Sequence, residues 1–268
     1  MSKIKKIVLS IISTIVIIIV GLIVYDRVTI NNMYYISEKN LEIPIFVYHN
    51  IVKSKSDIEY DYMQTDVDTY ENQIKGLQKV GYHFINYNDL QEYKDGKKKI
   101  YKKSCIITFD DGYEGVYENA YPISKKYNIP ITMYLIIDNM EQTGVIKWEE
   151  AKEMSESGLV TIASHSMDHP QFTTLTTNEA VENVNNSYAA IEEHIGKQEM
   201  KIFTYPYGLY TEEQINELSK LGYIQNLTDN KINKSKDLHM DRLHRCYPLN
   251  DSTIKMIAKI AYRSIRYN

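Results

Sequence analysis

The sequence predicts an α/β domain of the barrel type, preceded by a single membrane-spanning helix, and three observations carry this expectation. From residue 43 onward, seven apolar runs of strand length follow one another, at 43–49, 83–86, 105–109, 131–137, 159–164, 201–205 and 223–227. Between them lie stretches whose apolar residues recur at helical spacing, and strands alternating with helices are the pattern of βα units around a parallel sheet. Ahead of them, residues 7–25 form an apolar run without a charge, close to the ~20 residues a helix needs to cross a bilayer. The pattern alone does not separate a closed barrel from an open sheet.

Taken in order, Lys3, Lys5 and Lys6 precede the apolar run, and the positive-inside rule then keeps them in the cytoplasm. The expectation is a cytoplasmic stub and anchor over 1–25, an extracellular tether without periodicity over 26–42, and a folded domain over 43–268. A cleaved secretory signal is the alternative, but its apolar core is normally shorter and no small-x-small cleavage site stands near Val24 to Thr29. The first strand, IPIFVYH, ends on His49. A helix is expected over Tyr70–Val80, with Ile74, Leu77 and Val80 inward and Gly81 as its C-terminal cap. A second is expected over Thr176–His194, where Thr176 and Glu179 have capping-box spacing and Val181, Val184, Tyr188, Ile191 and Ile195 make one stripe.

Composition narrows the function. With 31 basic against 35 acidic residues, the net charge of -4 offers no electrostatic case for a nucleic-acid partner. Two cysteines, Cys105 and Cys246, exclude a disulfide scaffold, and Cys105 inside an apolar run reads as a buried thiol. The 24 tyrosines read as compositional bias.

The chemistry is expected where strands end, because in parallel α/β folds the loops there converge on one face. Asp110 and Asp111 follow the run at 105–109. A strand's period of two sends neighbours to opposite sides, so both serve one site only if the chain turns, which Gly112 permits. A plain polar turn is the ordinary alternative. His165 and His169, in SHSMDHP, follow the run at 159–164, and Pro170 disfavours helix at His169, so a loop is expected. Two neutral histidines and one carboxylate suit Zn²⁺ or a similar divalent ion, which leaves the second carboxylate to accept a proton from water.

TFDDG and SHSMDH together resemble the polysaccharide deacetylase family, also called the NodB homology domain or carbohydrate esterase family four, over roughly residues 43–250. The resemblance implies a distorted (β/α) barrel with about seven strands, Asp110 as general base, and Asp111, His165 and His169 as ligands of zinc, with cobalt, nickel or manganese as alternatives. It also implies substrate contacts from Tyr205, Pro206 and Tyr207, in YPYG, and from Trp148, with the Tyr207 amide as an oxyanion donor. Two departures stand out. The third motif, usually Arg-x-Pro-Tyr, begins here with Thr204, so the arginine that orients the base is missing from it. The late Leu-x-x-His element, which supplies a general acid, is not recognisable.

VYHN, with His49, is similar to the branch that deacetylates poly-N-acetylglucosamine, where an early histidine takes the acid role; His239 and His244 are the other candidates. The resemblance therefore implies a monomeric, membrane-anchored, metal-dependent N-deacetylase of extracellular poly-N-acetylglucosamine. The alternatives are a peptidoglycan N-acetylglucosamine deacetylase and a catalytically silent tethered glycan-binding module, which only the missing arginine supports.

Overall fold

A computed structural model describes residues 5, 11–22, 41–60 and 62–266. Most of the expected tether, residues 26–40, lies outside them. The expected membrane anchor is corrected: among the described residues no helix is long and apolar enough to cross a membrane. The cell-surface location that rested on that anchor loses its support.

All seven expected strands form. They are β1 (Ile45–Tyr48), β2 (His83–Phe84), β3 (Ser104–Phe109), β4 (Ile131–Leu135), β5 (Val160–Ser164), β6 (Ile202–Thr204) and β7 (Ile224–Leu227), and an eighth, β8 (Leu243–His244), joins them. Their order in the sheet is β8-β7-β6-β5-β4-β3-β1, every pair parallel, with β2 attached to the start of β3. Just past β8, Cys246 closes the ring: its N–H donates to the Ile45 carbonyl at 2.8 Å and its carbonyl accepts from the Val47 N–H at 3.0 Å. The result is a nearly closed parallel barrel, the architecture expected.

Among the described residues seven α-helices follow the first strand: α1 (Val67–Lys79), α2 (Tyr87–Lys94), α3 (Tyr121–Tyr127), α4 (Trp148–Glu156), α5 (Thr177–Ile195), α6 (Glu212–Lys220) and α7 (Thr253–Arg266). α1 starts where the Asp66 carboxylate caps the Thr69 N–H and buries Tyr70, Ile74 and Leu77, each such side chain contributing roughly 1.5–3 kcal/mol. Val80 does not face inward as expected; it is 36% exposed, because the helix has already ended there. α5 carries the expected capping box at Thr176 and Glu179 and buries Val184, Tyr188 and Ile191.

The two-residue period of the strands sorts the barrel interior into layers. Ile45, Ile106, Ala163, Ile202, Ile224 and Leu243 pack in one buried apolar cluster. Tyr87, at the start of α2, Tyr134 and Asn226 form a buried polar trio bonded to one another. Ile106, Thr108 and Asp110 thus climb a single face of β3, from apolar floor to open mouth, while Leu243 and Arg245 climb the facing edge. Cys105 and Cys246 are buried free thiols.

Candidate active site

Asp110 leaves β3 with its N–H bonded to the Tyr48 carbonyl at 2.9 Å. The chain then turns sharply: Asp111 has φ 72° and Gly112 φ 74°. That left-handed pair rotates Asp111 to the same side as Asp110, so the turn expected at the glycine begins one residue earlier, at a cost of about 1–3 kcal/mol for a non-glycine residue. Ser166 (φ 78°), His169 (φ 55°) and Tyr207 (φ 59°) are strained in the same way. Four left-handed residues at one barrel mouth show a backbone shaped for side-chain placement over local comfort.

After β5 the chain forms the expected loop, braced by side chains. Ser164 Oγ accepts from the Ser166 N–H at 3.1 Å, and Ser166 Oγ accepts from the His169 N–H at 2.9 Å. The loop brings His165 and His169 back to Asp111, their rings 4.8 Å apart. His165 Nε2 lies 3.5 Å and His169 Nε2 3.7 Å from Asp111 Oδ1, and one ligand atom from each of the three lies within 4.8 Å of the others.

The residues fit a divalent cation on chemical grounds. His165 Nδ1 sits 2.9 Å from the Thr204 carbonyl; a carbonyl only accepts, so Nδ1 carries the proton and Nε2 presents a lone pair. Burial lowers the His165 pKa to about 3, with the His169 charge adding to it and Asp110 opposing, so protonation does not relieve this lone pair. Burial and then the charge of Asp110 raise Asp111 to about 7. Lone pairs and a carboxylate facing one another at such distances repel unless a cation sits among them.

Asp110 stands apart from this trio and is held by a residue the sequence reading passed over. Arg245, 0% exposed, grips it in a fork, Nη1 donating to Oδ1 at 2.7 Å and Nη2 to Oδ2 at 2.8 Å. The guanidinium also donates to the hydroxyls of Thr108, Thr204 and Thr228 and lies 5.1 Å from the centre of the Tyr134 ring. Burial alone would raise Asp110; the Arg245 charge and fork, with smaller help from His165 and His49, outweigh it and hold the carboxyl at about 2. The expectation that the chain lacks an orienting arginine is therefore corrected. Arg245 reaches from the C-terminal strand the position Thr204 leaves unfilled. A signal existed in the alternation Leu243, His244, Arg245, Cys246, but two residues of strand among charges read as a polar surface segment.

His49, Asp110, Asp111, His165, His169 and Tyr207 line one cavity of about 590 Å³. His49 stacks on Tyr247 at 6.0 Å, and its Nδ1 is buried without a hydrogen-bond partner, so its ring is not held by a backbone carbonyl. Its pKa is lowered, by burial first and against the pull of Asp110. Tyr207 is 63% exposed with its ring 4.5 Å from that of His169. Tyr205 forms part of the cavity floor but is itself core, its hydroxyl donating to Gln225.

The remaining candidates are elsewhere. Pro206 is buried beneath the turn. Trp148 opens α4 on the barrel's flank and stacks on His194 at 4.1 Å, outside the cavity lining. His244 pairs with Asp229 at 2.8 Å, His239 is exposed, and neither lines the cavity.

Comparison with known proteins agrees with this geometry. The family profile described as Polysaccharide deacetylase matches residues 97–225, which include all four of Asp110, Asp111, His165 and His169. YxkH of Bacillus subtilis strain 168, which carries the name of a polysaccharide deacetylase, is 30% identical over 209 residues, 78% of this chain and 72% of that one. The poly-β-1,6-N-acetyl-D-glucosamine N-deacetylase of Staphylococcus aureus strain N315 is 33% identical over 168 residues, and that match spans 57% of each chain, a little over half the length of the relative. IcaB from Ammonifex degensii superposes with a TM-score of 0.71 at 25% identity, covering 83% of this chain and 98% of that one. Streptococcus pyogenes deacetylase PplD, solved with acetate, shares the fold with a TM-score of 0.73 at 21% identity over 82% of this chain and 98% of its own. By the extent of the Bacillus match, together with the profile match over residues 97–225, the chain belongs to the polysaccharide deacetylase family.

Proposed function

We propose that this chain hydrolyses the N-acetyl groups of N-acetylglucosamine units in a β-1,6-linked polysaccharide, with a divalent metal, zinc first among the candidates, held by Asp111, His165 and His169. The observation that carries the reading is the separation of roles at the barrel mouth. Three donors converge within 4.8 Å, while a second carboxylate, Asp110, is held back by Arg245, its Oδ2 4.0 Å from His165 Nε2.

When bound, such an ion supplies Lewis acidity to water and to the amide carbonyl at neutral pH. The chain's own residues do the rest. Asp110, ionised at any working pH, accepts the proton of the attacking water. Arg245 makes it a weak base, so the proton is readily passed on. The Tyr207 amide is proposed to donate to the carbonyl oxygen as charge builds there. His49 is proposed to hand a proton to the departing sugar nitrogen. Burial makes neutral imidazole its resting form, so that proton is one it receives during the reaction and not one it stores.

The likeness to the Staphylococcus poly-β-1,6-N-acetyl-D-glucosamine N-deacetylase favours that polymer over peptidoglycan as the substrate. Arg245 supplies the contact whose absence was the only support for a silent binding module. The test is acetate release from acetylated glycans by the purified chain, with chelator and with added zinc, cobalt, nickel or manganese. Zinc-dependent release from β-1,6-linked oligomers is expected; release only from cell-wall fragments would move the assignment to peptidoglycan.

A further inference from the structure

The loop between the short strands Asn50–Val52 and Gln64–Asp66 stands over the cavity, and its purpose is not explained by the chemistry at the metal-ligand cluster. Its described residues are tied together by hydrogen bonds. The Gln64 side-chain oxygen accepts from the backbone N–H groups of Glu59 and Tyr60 at 2.6 and 3.1 Å. The Tyr60 carbonyl in turn accepts from the N–H groups of Met63 and Gln64 at 2.9 and 3.0 Å, and Asn50 N–H bonds the Met63 carbonyl at 2.9 Å. Tyr60 and Tyr62, on either side of residue 61, which lies outside the described residues, are 57% and 63% exposed, with ring centroids 6.2 Å apart.

In a chain with 24 tyrosines, exposure alone signifies little; distribution decides. Among the described residues four tyrosines are more than half exposed, Tyr60, Tyr62, Tyr207 and Tyr262, and the first three line the one cavity that holds the Asp and His cluster. A tyrosine ring offers large contact area at low entropic cost, and its apolar face with a polar tip suits a sugar ring, whose C–H faces and hydroxyl edges are similarly divided.

We propose that Tyr60 and Tyr62 form a stacking platform for the sugar units beside the one being deacetylated, so that this loop sets the dependence on glycan length. The proposal rests on the reading of the site as a glycan deacetylase. Contacts to units remote from the reacting amide supply binding energy that a short substrate lacks.

The test uses the full-length chain, the Tyr60→Ala/Tyr62→Ala double variant and the Tyr60→Phe/Tyr62→Phe control, on β-1,6-linked N-acetylglucosamine oligomers from dimer to hexamer. Two readouts are taken: acetate release, and calorimetric affinity of the metal-stripped chain. The wild type is expected to gain kcat/KM and affinity with length. The alanine variant should lose about tenfold on the hexamer, mainly in KM, and little on the dimer, while the phenylalanine control keeps the wild-type rise. An alanine variant with undiminished hexamer affinity overturns the platform. If the wild type releases no acetate from any oligomer, yet the alanine variant loses hexamer affinity, the deacetylase reading fails and the platform stands.

Discussion

The barrel's two arcs contribute differently to one site. From the arc β3 to β5 come the groups proposed to meet cation and substrate: Asp110, Asp111, His165 and His169. From the arc β6 to β8 come the groups that hold them: the Thr204 carbonyl that sets the His165 tautomer, and Arg245 that fixes Asp110. In the first arc the functional residues come as two pairs, Asp110 with Asp111 after β3 and His165 with His169 after β5, each pair on its own short loop. In the second they are scattered over some forty residues and acquire meaning only when the ring closes at Cys246. Reactive groups can therefore be placed by a short segment, but their protonation and orientation need the whole barrel.

The division is most sharply tested by removing one member from each arc. Asp111→Ala or His165→Ala should lower acetate release by about a thousandfold or more, the scale of losing a principal catalytic element, with metal retention after gel filtration lost in parallel. On the other arc, Arg245→Met should leave a buried carboxylate unpaired and cost about 3–5 kcal/mol in chemical denaturation. Arg245→Lys, which keeps a charge but not the fork, should stay folded and keep its metal while kcat drops about 10–100-fold. An Arg245→Lys variant with wild-type kcat would erase the distinction between the arcs.

Acid titration, compared between wild type and Arg245→Met, reads the grip of Arg245 on Asp110. Asp110 lies at about 2 in the folded chain against about 3.9 when unfolded. Its folded-state pKa is depressed, so its contribution, on the order of 2 kcal/mol, is fully present above about pH 4 and is lost as pH falls toward 2. Urea stability of wild type should drop between those limits, and by less in Arg245→Met. The ligand arc titrates higher. With Asp111 at about 7 in the metal-free cluster, protons compete with the ion, and metal affinity should weaken by up to about tenfold per pH unit below 7. The smallest effect is expected at Trp148: stacked on His194 outside both arcs, its change to alanine should leave acetate release within about twofold.

What could be read from sequence follows the same division. The seven strand runs and the capping box at Thr176 declare themselves through local rules of period and end chemistry, and the structure forms each of them. Asp110, Asp111, His165 and His169 were recognisable because residues of unusual chemistry sit together at strand ends. Arg245 was not, since its strand is only two residues long and its partner lies 135 residues away. Trp148, which the resemblance brought forward, could not be placed from sequence because a residue at a helix start gives no sign of which neighbour it stacks on; in the structure that neighbour is His194. Left-handed backbone at Asp111, Ser166, His169 and Tyr207 was equally hidden, because no glycine marks those positions.

The account stands on the convergence of Asp111, His165 and His169 around one cation beside an unliganded Asp110. Its most direct test is titration of zinc into the chelator-treated chain while acetate release from a β-1,6-linked N-acetylglucosamine oligomer is followed. Activity should return in proportion to zinc and saturate at one ion per chain, with no recovery in His165→Ala. Full acetate release by the chelated chain, or saturable zinc binding at this cluster with no release from any acetylated glycan, would contradict it.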